Sequence, residues 1–369
     1  MKTAILSMQR VVNYGSVLQA YSLRELVRQA TGDAPEFLDI EDEPALPVQR
    51  SVQETDSDYA MAPVSRSLLR RGKRWIIRKL SARTKKHIRA FMQEELHLSA
   101  DNSSKHYDAV IVGSDEVFNH AKGLRLQLHG EIPQADRLIT YAASCGSALA
   151  EDIAEHDLPR VRSAMQRFCA ISVRDAGTAA YAAYLGVTDA VRHLDPVLVG
   201  PLRARAAKPV RLRRYLLVYA YGQRIHTAQE IDAIRAFAKA KGLKTVAMGG
   251  SQYWCDLYVP ASPMRMLDWF AHADYVVTDT FHGTIFSVIH HRPFAVVTRR
   301  TNENKLMSLL EDLGLAQQRL PDMTQLPQVL AQEIRYDQVD AILDRERRRT
   351  LEYLKEQLHD GEGAHQSGQ

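Results

Sequence analysis

What most restricts the fold of this chain is a series of short, near-continuous apolar runs. Each is followed by a polar or glycine-bearing turn and then a helical pattern. Residues 107–112 read YDAVIV and end in Gly113-Ser114-Asp115. Runs of that length without alternation suit strands buried on both faces of a parallel sheet. Residues 3–8, 138–143 and 170–173 read as further strands. Residues 16–30 place Val17, Leu18, Tyr21, Leu26 and Val27 on or near one helical face, with Thr31-Gly32 as the stop, and 158–168 is helical. A second set follows, with strands at 215–220, 245–248, 275–278 and 294–297. Its helices fall at 227–241, 263–273, 285–290, 304–313 and 339–358.

Between the two sets, GPLRARAAKPVRLRR is polar, carries two prolines and lacks periodicity, as a linker does. The predicted fold is therefore α/β, with two Rossmann-like domains whose parallel sheets face a cleft. Residues 1–200 form the first domain, with a basic helical insertion near 62–95. The linker is 201–214, the second domain 215–359, and 360–369 a polar, disordered tail.

Charge is unevenly spread along the chain. The net charge is +4, from 48 Lys and Arg against 44 Asp and Glu. Between Tyr59 and Gln93 there are eleven basic residues and no acidic one, which leaves 37 against 44 elsewhere. A nucleic-acid binder would spread or repeat its charge, so no nucleic-acid partner is expected. Within the block, Leu69, Trp75, Ile76, Ile77, Leu80, Ile88 and Phe91 are interleaved with basic residues. Two readings stand: a helical insertion packing its apolar stripe on the domain, and peripheral docking of 66–89 on an anionic membrane. Cys145, Cys169 and Cys255 are far apart and form no CxxC pair, which fits a reducing cytoplasm and no structural zinc. The N-terminal apolar run is too short for a signal peptide, and no window has the length of a membrane span.

Four turns carry chemistry. Asn13-Tyr14-Gly15-Ser16 joins the first strand to the first helix. It reads as a plain turn in which Ser16 caps the helix, or as an anion site at a helix start. Ser114-Asp115-Glu116 follows a buried strand, where Asp115 either accepts sugar hydroxyls or caps a helix. Arg174, after Ser172-Val173, can hold a carboxylate or phosphate bidentately, or pair with Asp175. Thr278-Asp279-Thr280-Phe281-His282-Gly283-Thr284 is the strongest. It sets His282 and the Thr280 and Thr284 hydroxyls at a strand's carboxyl edge, beside a helix expected to start near Thr284. His290-His291 reads as structural. Arg299, Arg300 and Lys305 read as solvated charge or added anion contacts. No P-loop, GxGxxG, GxSxG or HExxH pattern is present.

Taken in order, these segments resemble the polysaccharide pyruvyl transferase family. The likeness also rests on Tyr141-Ala142-Ala143-Ser144, Leu194-Asp195-Pro196-Val197, and Asn304-Lys305 with Ser308-Leu309-Leu310, and it covers about residues 3 to 315. The resemblance implies a fold like that of GT-B glycosyltransferases. It implies a transferase that moves pyruvate from phosphoenolpyruvate onto two hydroxyls of a bacterial cell-surface glycan sugar, forming a cyclic ketal and releasing phosphate. His282 matches the family's histidine in a Ser-Phe-His-Gly motif, with Thr280 in place of the serine, and Arg174 matches its arginine after Ser-Val. Glu116 and Phe118 stand where glutamine and tryptophan are commoner.

On this reading His282, Asp279 and Arg174 are catalytic: His282 moves protons, Asp279 orients it or acts as base, and Arg174 holds the donor. Thr280, Gly283, Thr284, Asn13, Gly15, Ser16, Ser114 and Asp115 join Arg174 in binding substrate. No metal and no cofactor is expected, with phosphoenolpyruvate as donor substrate. The partners are phosphoenolpyruvate and a saccharide acceptor, either free, nucleotide-linked or lipid-linked. The expected location is cytoplasmic, at the inner face of the cell membrane if 66–89 docks there. The alternatives are a GT-B glycosyltransferase using a nucleotide-sugar, and a non-catalytic binding protein of glycan assembly.

Overall fold

A computed structural model describes residues 1–41, 45–48, 68–98, 105–121, 123–222 and 224–359. The first half runs β1 (Thr3–Leu6), α1 (Tyr14–Thr31), β2 (Glu36–Leu38), α2 (Leu68–Glu94), β3 (Tyr107–Asp115), β4 (Ala135–Ala143), α3 (Leu158–Met165), β5 (Phe168–Ala170), β6 (Ser172–Val173), α4 (Ala176–Tyr184), β7 (Val191–Arg192) and α5 (Pro196–Val199). The second runs β8 (Tyr215–Ala220), α6 (Ala228–Ala240), β9 (Lys244–Gly249), β10 (Leu257–Tyr258), α7 (Pro263–Ala271), β11 (Tyr275–Thr278), α8 (Phe281–Ile289), β12 (Phe294–Val297), α9 (Glu303–Asp312), β13 (Arg319–Leu320), α10 (Leu326–Ala331) and α11 (Tyr336–His359).

Each half holds one parallel sheet, as the unbroken apolar runs predict. The first is ordered β2-β1-β3-β4-β6-β7, with β5 also pairing β4. In it Ile5 lies opposite Ile111, and Ile111 opposite Ile139. The second sheet is ordered β10-β9-β8-β11-β12-β13, with Val277 between Val218 and Ala295. Every named pairing is parallel, so all strand carboxyl ends of a sheet leave one edge. The strand order reverses between β1 and β3 in the first sheet, and between β8 and β11 in the second. Such switch points leave a crevice for ligands beyond the carboxyl ends.

Local capping decides where the functional helices begin. The Asn13 side chain accepts from the Gly15 amide and starts α1, and Gly32 ends it at φ 89°. The cap is thus Asn13, not Ser16. Thr280 accepts from the Gly283 amide and starts α8 at Phe281, three residues before the predicted start. His282 therefore lies in the first helical turn rather than in a loop.

Two helices bind the halves together. α11 falls within residues 215–359, which the sequence assigns to the second domain, yet it packs on α1 and α5 of the first half. The Tyr353 hydroxyl donates to the Thr140 carbonyl, and the Tyr141 and Thr350 hydroxyls lie 3.0 Å apart. Arg203, in the 201–214 segment, pairs with Asp340 and Asp344 of α11. α2 buries Ile88, Phe91 and Met92 with the α1 core, and Ile77 with Leu216, Cys255 and Tyr258 of the second half. Each such side chain contributes about 1.5–3 kcal/mol on full burial. Lys73 Nζ also donates to the Cys255 carbonyl at 2.5 Å. Arg66 and the tail 360–369 lie outside the described residues. Cys145, Cys169 and Cys255 are all free thiols. Among the described residues no helix is long and apolar enough to cross a membrane.

Candidate active site

The loops at the two switch points meet in one cleft. From the first half come Asn13 and Ser16 at the start of α1, the end of β3 with Asp115 and Glu116, and Arg174 after β6. From the second half come Tyr221 after β8, Phe281 and His282 of α8, and Lys305 of α9. They line a cavity of about 410 Å³. A second cavity of about 190 Å³ lies beside it, bounded by α2 residues Ser81, Thr84 and Lys85 and by the Gly249-Gly250 turn. Asn13, Tyr221 and His282 line both.

His282 is held on three sides. Its Nε2 lies 3.6 Å from Asp195 Oδ2. Its ring lies 5.6 Å from that of Phe281 and 6.0 Å from that of Phe286, centroid to centroid. The backbone of Gly15 closes the third side. A Cβ at Gly15 would fall 2.3 Å from His282 Nδ1, so only glycine leaves room for the ring. This close approach is why the α1 turn carries a glycine.

Asp195 is fully buried and caps α5, accepting from the Val197 amide at 3.0 Å. Its Oδ2 also accepts from Arg174 Nη1 at 3.3 Å. Burial alone would raise its pKa, but His282 and Arg174 outweigh that and keep it below the ordinary aspartate value. Arg174 is buried too, with its guanidinium 4.1 Å above the Phe281 ring. Burial opposes its charge, yet Asp195, Asp115 and Asp175 hold its pKa above the usual arginine value. Asp195, not the neighbouring Asp175, is therefore the ion-pair partner of Arg174. Asp175 caps α4 instead.

On the far wall, Lys305 Nζ bonds Glu116 Oε1 at 2.5 Å. The ammonium beside it holds the Glu116 carboxyl down to about 2. Lys305 loses solvation by burial, but Glu116 and Tyr221 more than offset this and raise its pKa. Lys305 is thus a paired charge on the cavity wall rather than a solvated one. Arg299 bonds Glu230 and is not among the residues that line either cavity. Asp115 accepts from the Ser16 hydroxyl at 2.7 Å and from the Glu116 amide at 2.9 Å, so it ties the end of β3 to the first turn of α1 rather than capping a helix.

The remaining sequence-predicted residues fall into two groups. Asn13, Ser16, Asp115, Arg174, Thr280 and His282 line one of the cavities. Gly15, Ser114, Gly283 and Thr284 stand behind the walls. Ser114 is fully buried, and its carbonyl accepts from the Ser7 hydroxyl. Thr284 is fully buried and donates to the Thr280 carbonyl. A Cβ at Gly283 would fall 2.1 Å from Thr278 Oγ1, so this glycine permits tight packing.

Asp279 also sits behind the wall. The carboxylate beside His282 is Asp195, whereas Asp279 faces Arg224, whose Nε is 3.9 Å away. Asp279 is fully buried and neither carboxyl oxygen accepts a hydrogen bond. Burial pushes its pKa up to about 6, with Arg224 offsetting only part of that. His291 stacks on Tyr336 and lies 3.1 Å from Asp340, as a structural residue does. Among the described residues no group of three or more His, Cys, Asp or Glu side chains could hold a metal ion.

Two parallel-sheet α/β halves turned edge to edge across a cleft define the GT-B fold. Solved structures agree. The S. aureus MnaA-UDP co-structure is 10% identical with a TM-score of 0.52, covering 97% of each chain. The UDP-GlcNAc 2-epimerase from Methanocaldococcus jannaschii is 9% identical with a TM-score of 0.50, covering 96% of this chain and 100% of that one. At such identities the likeness concerns the fold alone. No curated protein matches the chain. The family model of polysaccharide pyruvyl transferases matches residues 13–301, a span that contains Arg174, Asp195 and His282. The chain belongs to the polysaccharide pyruvyl transferase family and is a transferase.

Proposed function

We propose that the protein transfers the pyruvate unit of phosphoenolpyruvate onto two hydroxyls of a glycan sugar, forming a ketal and releasing phosphate. The observation that carries this reading is the placement of His282. It stands where two cavities meet, against the buried Asp195–Arg174 pair. Two substrates must meet at a proton-transfer group, and this arrangement supplies one.

Phosphoenolpyruvate is a small, strongly anionic donor. Arg174 and Lys305 set positive charge on the walls of the larger cavity, and the N-terminal ends of α1 and α8 add their partial charge. Reaction begins with a proton passed to the methylene carbon, which leaves the adjacent carbon electrophilic. The first sugar hydroxyl adds to that carbon and gives up its proton. Phosphate then leaves as the second hydroxyl closes the ring, and the proton of that hydroxyl departs with it. His282 is the group that gives and takes these protons. Asp195 orients its ring, and Asp115, Ser16 and Asn13 offer partners for sugar hydroxyls. The enzyme needs neither metal nor cofactor on this route.

The test is incubation of the full chain with phosphoenolpyruvate and a panel of sugars, in free, nucleotide-linked and lipid-linked forms. Mass reads the ketal and a coupled assay reads phosphate. His282→Asn is expected to lower the rate about 10²–10⁴-fold. Parental rates in His282→Asn would remove that role. Sugar transfer from a UDP-sugar without phosphoenolpyruvate would replace the reading with glycosyl transfer. Phosphoenolpyruvate that neither reacts nor raises the melting temperature would leave a binding protein.

A further inference from the structure

Apart from Lys85, which also lines the smaller cavity, the outward face of α2 has no part in the chemistry above. Its inward face carries Ile77, Thr84, Ile88, Phe91 and Met92. The opposite face presents six exposed basic side chains: Arg78, Lys79, Arg83, Lys85, Lys86 and Arg89. Among the described residues no carboxylate pairs with any of the six, and no acidic residue occurs between Tyr59 and Gln93. Trp75 and Ile76 stand on the same face, 58% and 52% exposed. Folding leaves these two large apolar side chains in water, where each costs hydrophobic free energy. Lys79 Nζ lies 3.8 Å over the Trp75 ring, so cation and aromatic form one patch.

We propose that this face of α2 is a docking surface for an anionic phospholipid bilayer. Headgroup charge complements the six cations, and the interfacial zone takes the indole and the isoleucine. A bilayer is favoured over a nucleic acid because the patch joins exposed aliphatic and aromatic carbon to the charge. A purely ionic partner would leave Ile76 in water. Ser81 and Lys85 also line the smaller cavity, so docking sets that cavity beside the bilayer surface. The inference stands on the outer face of α2 alone and does not depend on pyruvyl transfer.

Co-sedimentation of the full chain with vesicles tests it directly. Vesicles of phosphatidylcholine with about 30% phosphatidylglycerol should bind the chain, and phosphatidylcholine alone should not. Raising salt from about 0.05 M to about 0.5 M should weaken binding at least about tenfold, because the exposed charges are screened. Arg78→Gln/Lys79→Gln/Arg83→Gln/Lys86→Gln should lose about a hundredfold in partitioning. Trp75→Ala/Ile76→Ser should lose about tenfold without a charge change. Because these positions are exposed, parent-like melting is expected, and the vesicle-charge and salt comparisons need no variant. No sedimentation of the parent chain, or equal sedimentation with both vesicle types, overturns the proposal. So does a DNA duplex that binds as tightly as the charged vesicles and ignores Trp75→Ala/Ile76→Ser, which would make the face a nucleic-acid surface.

Discussion

Gly15→Ala perturbs the seating of His282 while leaving every reacting side chain chemically unchanged. The added methyl would lie 2.3 Å from Nδ1, 2.5 Å from Cγ and 2.8 Å from Cε1 of the ring. Ordinary contact begins near 3.4 Å. The ring must therefore retreat by about 1 Å, and a misplacement of that size costs on the order of 10²-fold in rate. Phe281 and Phe286 flank the ring, so its retreat alters the approach to Asp195 and to both cavities. The fold has less at stake. Gly15 lies in the first turn of α1 and has no positive φ. Alanine gains up to about 1 kcal/mol of helix propensity there, against about 1–3 kcal/mol of overpacking. Gly72→Ala is the matched control, because in α2 a Cβ at 72 meets nothing within 4 Å. The assay is kcat/KM for phosphate release from phosphoenolpyruvate with an acceptor, alongside thermal melting. Gly15→Ala should fall about 10²-fold with Tm moved by only a few degrees, while Gly72→Ala should match the parent. Parental kcat/KM in Gly15→Ala would refute the seating of His282 by this backbone.

Three further outcomes follow from the buried charges. Glu116 titrates near 2 in the folded chain against an ordinary 4.5, so its pair with Lys305 stabilises fully above about pH 4.5 and is lost as pH falls toward about 2. Lys305→Met should flatten the acid limb of a Tm–pH curve, and unchanged limbs would mean the pair adds nothing. Asp279 has the opposite sign: its folded pKa of about 6 lies above 3.8, so stability falls as pH rises through that window. The Tm gain of Asp279→Asn over the parent should grow between about pH 4 and about pH 7, and a constant difference would contradict a buried carboxylate that accepts no hydrogen bond. Asp195→Asn strips Arg174 of its buried counter-charge, a loss of about 3–5 kcal/mol by melting or denaturant. Adding Arg174→Met should restore stability but not turnover, and restored turnover would make the pair purely structural.

The strands were legible because each is a near-continuous apolar run, as a strand buried on both faces of a parallel sheet requires. Tyr215–Ala220, Tyr275–Thr278 and Phe294–Val297 match their predicted limits to the residue. The start of α8 was misplaced for a definite reason. Gly283 reads as a helix breaker, yet it is there because Thr278 and Tyr219 leave no space for a Cβ. His282 and Arg174 stood out by residue type and position after a strand. Asp195 did not, since Asp195-Pro196 has the pattern of an ordinary helix cap and performs that role. Only the tertiary fold brings it to His282, 87 positions further along the chain. The path of α11 was hidden for a similar reason: its periodicity shows an apolar face but not which half that face meets.

The return of α11 to the first half also bears on how the chain matures. α1 cannot complete its surroundings until residues 336–359 are present, roughly 300 positions later. Domains made on a ribosome usually fold as they emerge, N-terminal first. Here the first sheet can form early, but the outer flank of α1 stays bare until nearly all of these residues have been made. Nascent chains halted before residue 336 should therefore be sticky and protease-sensitive.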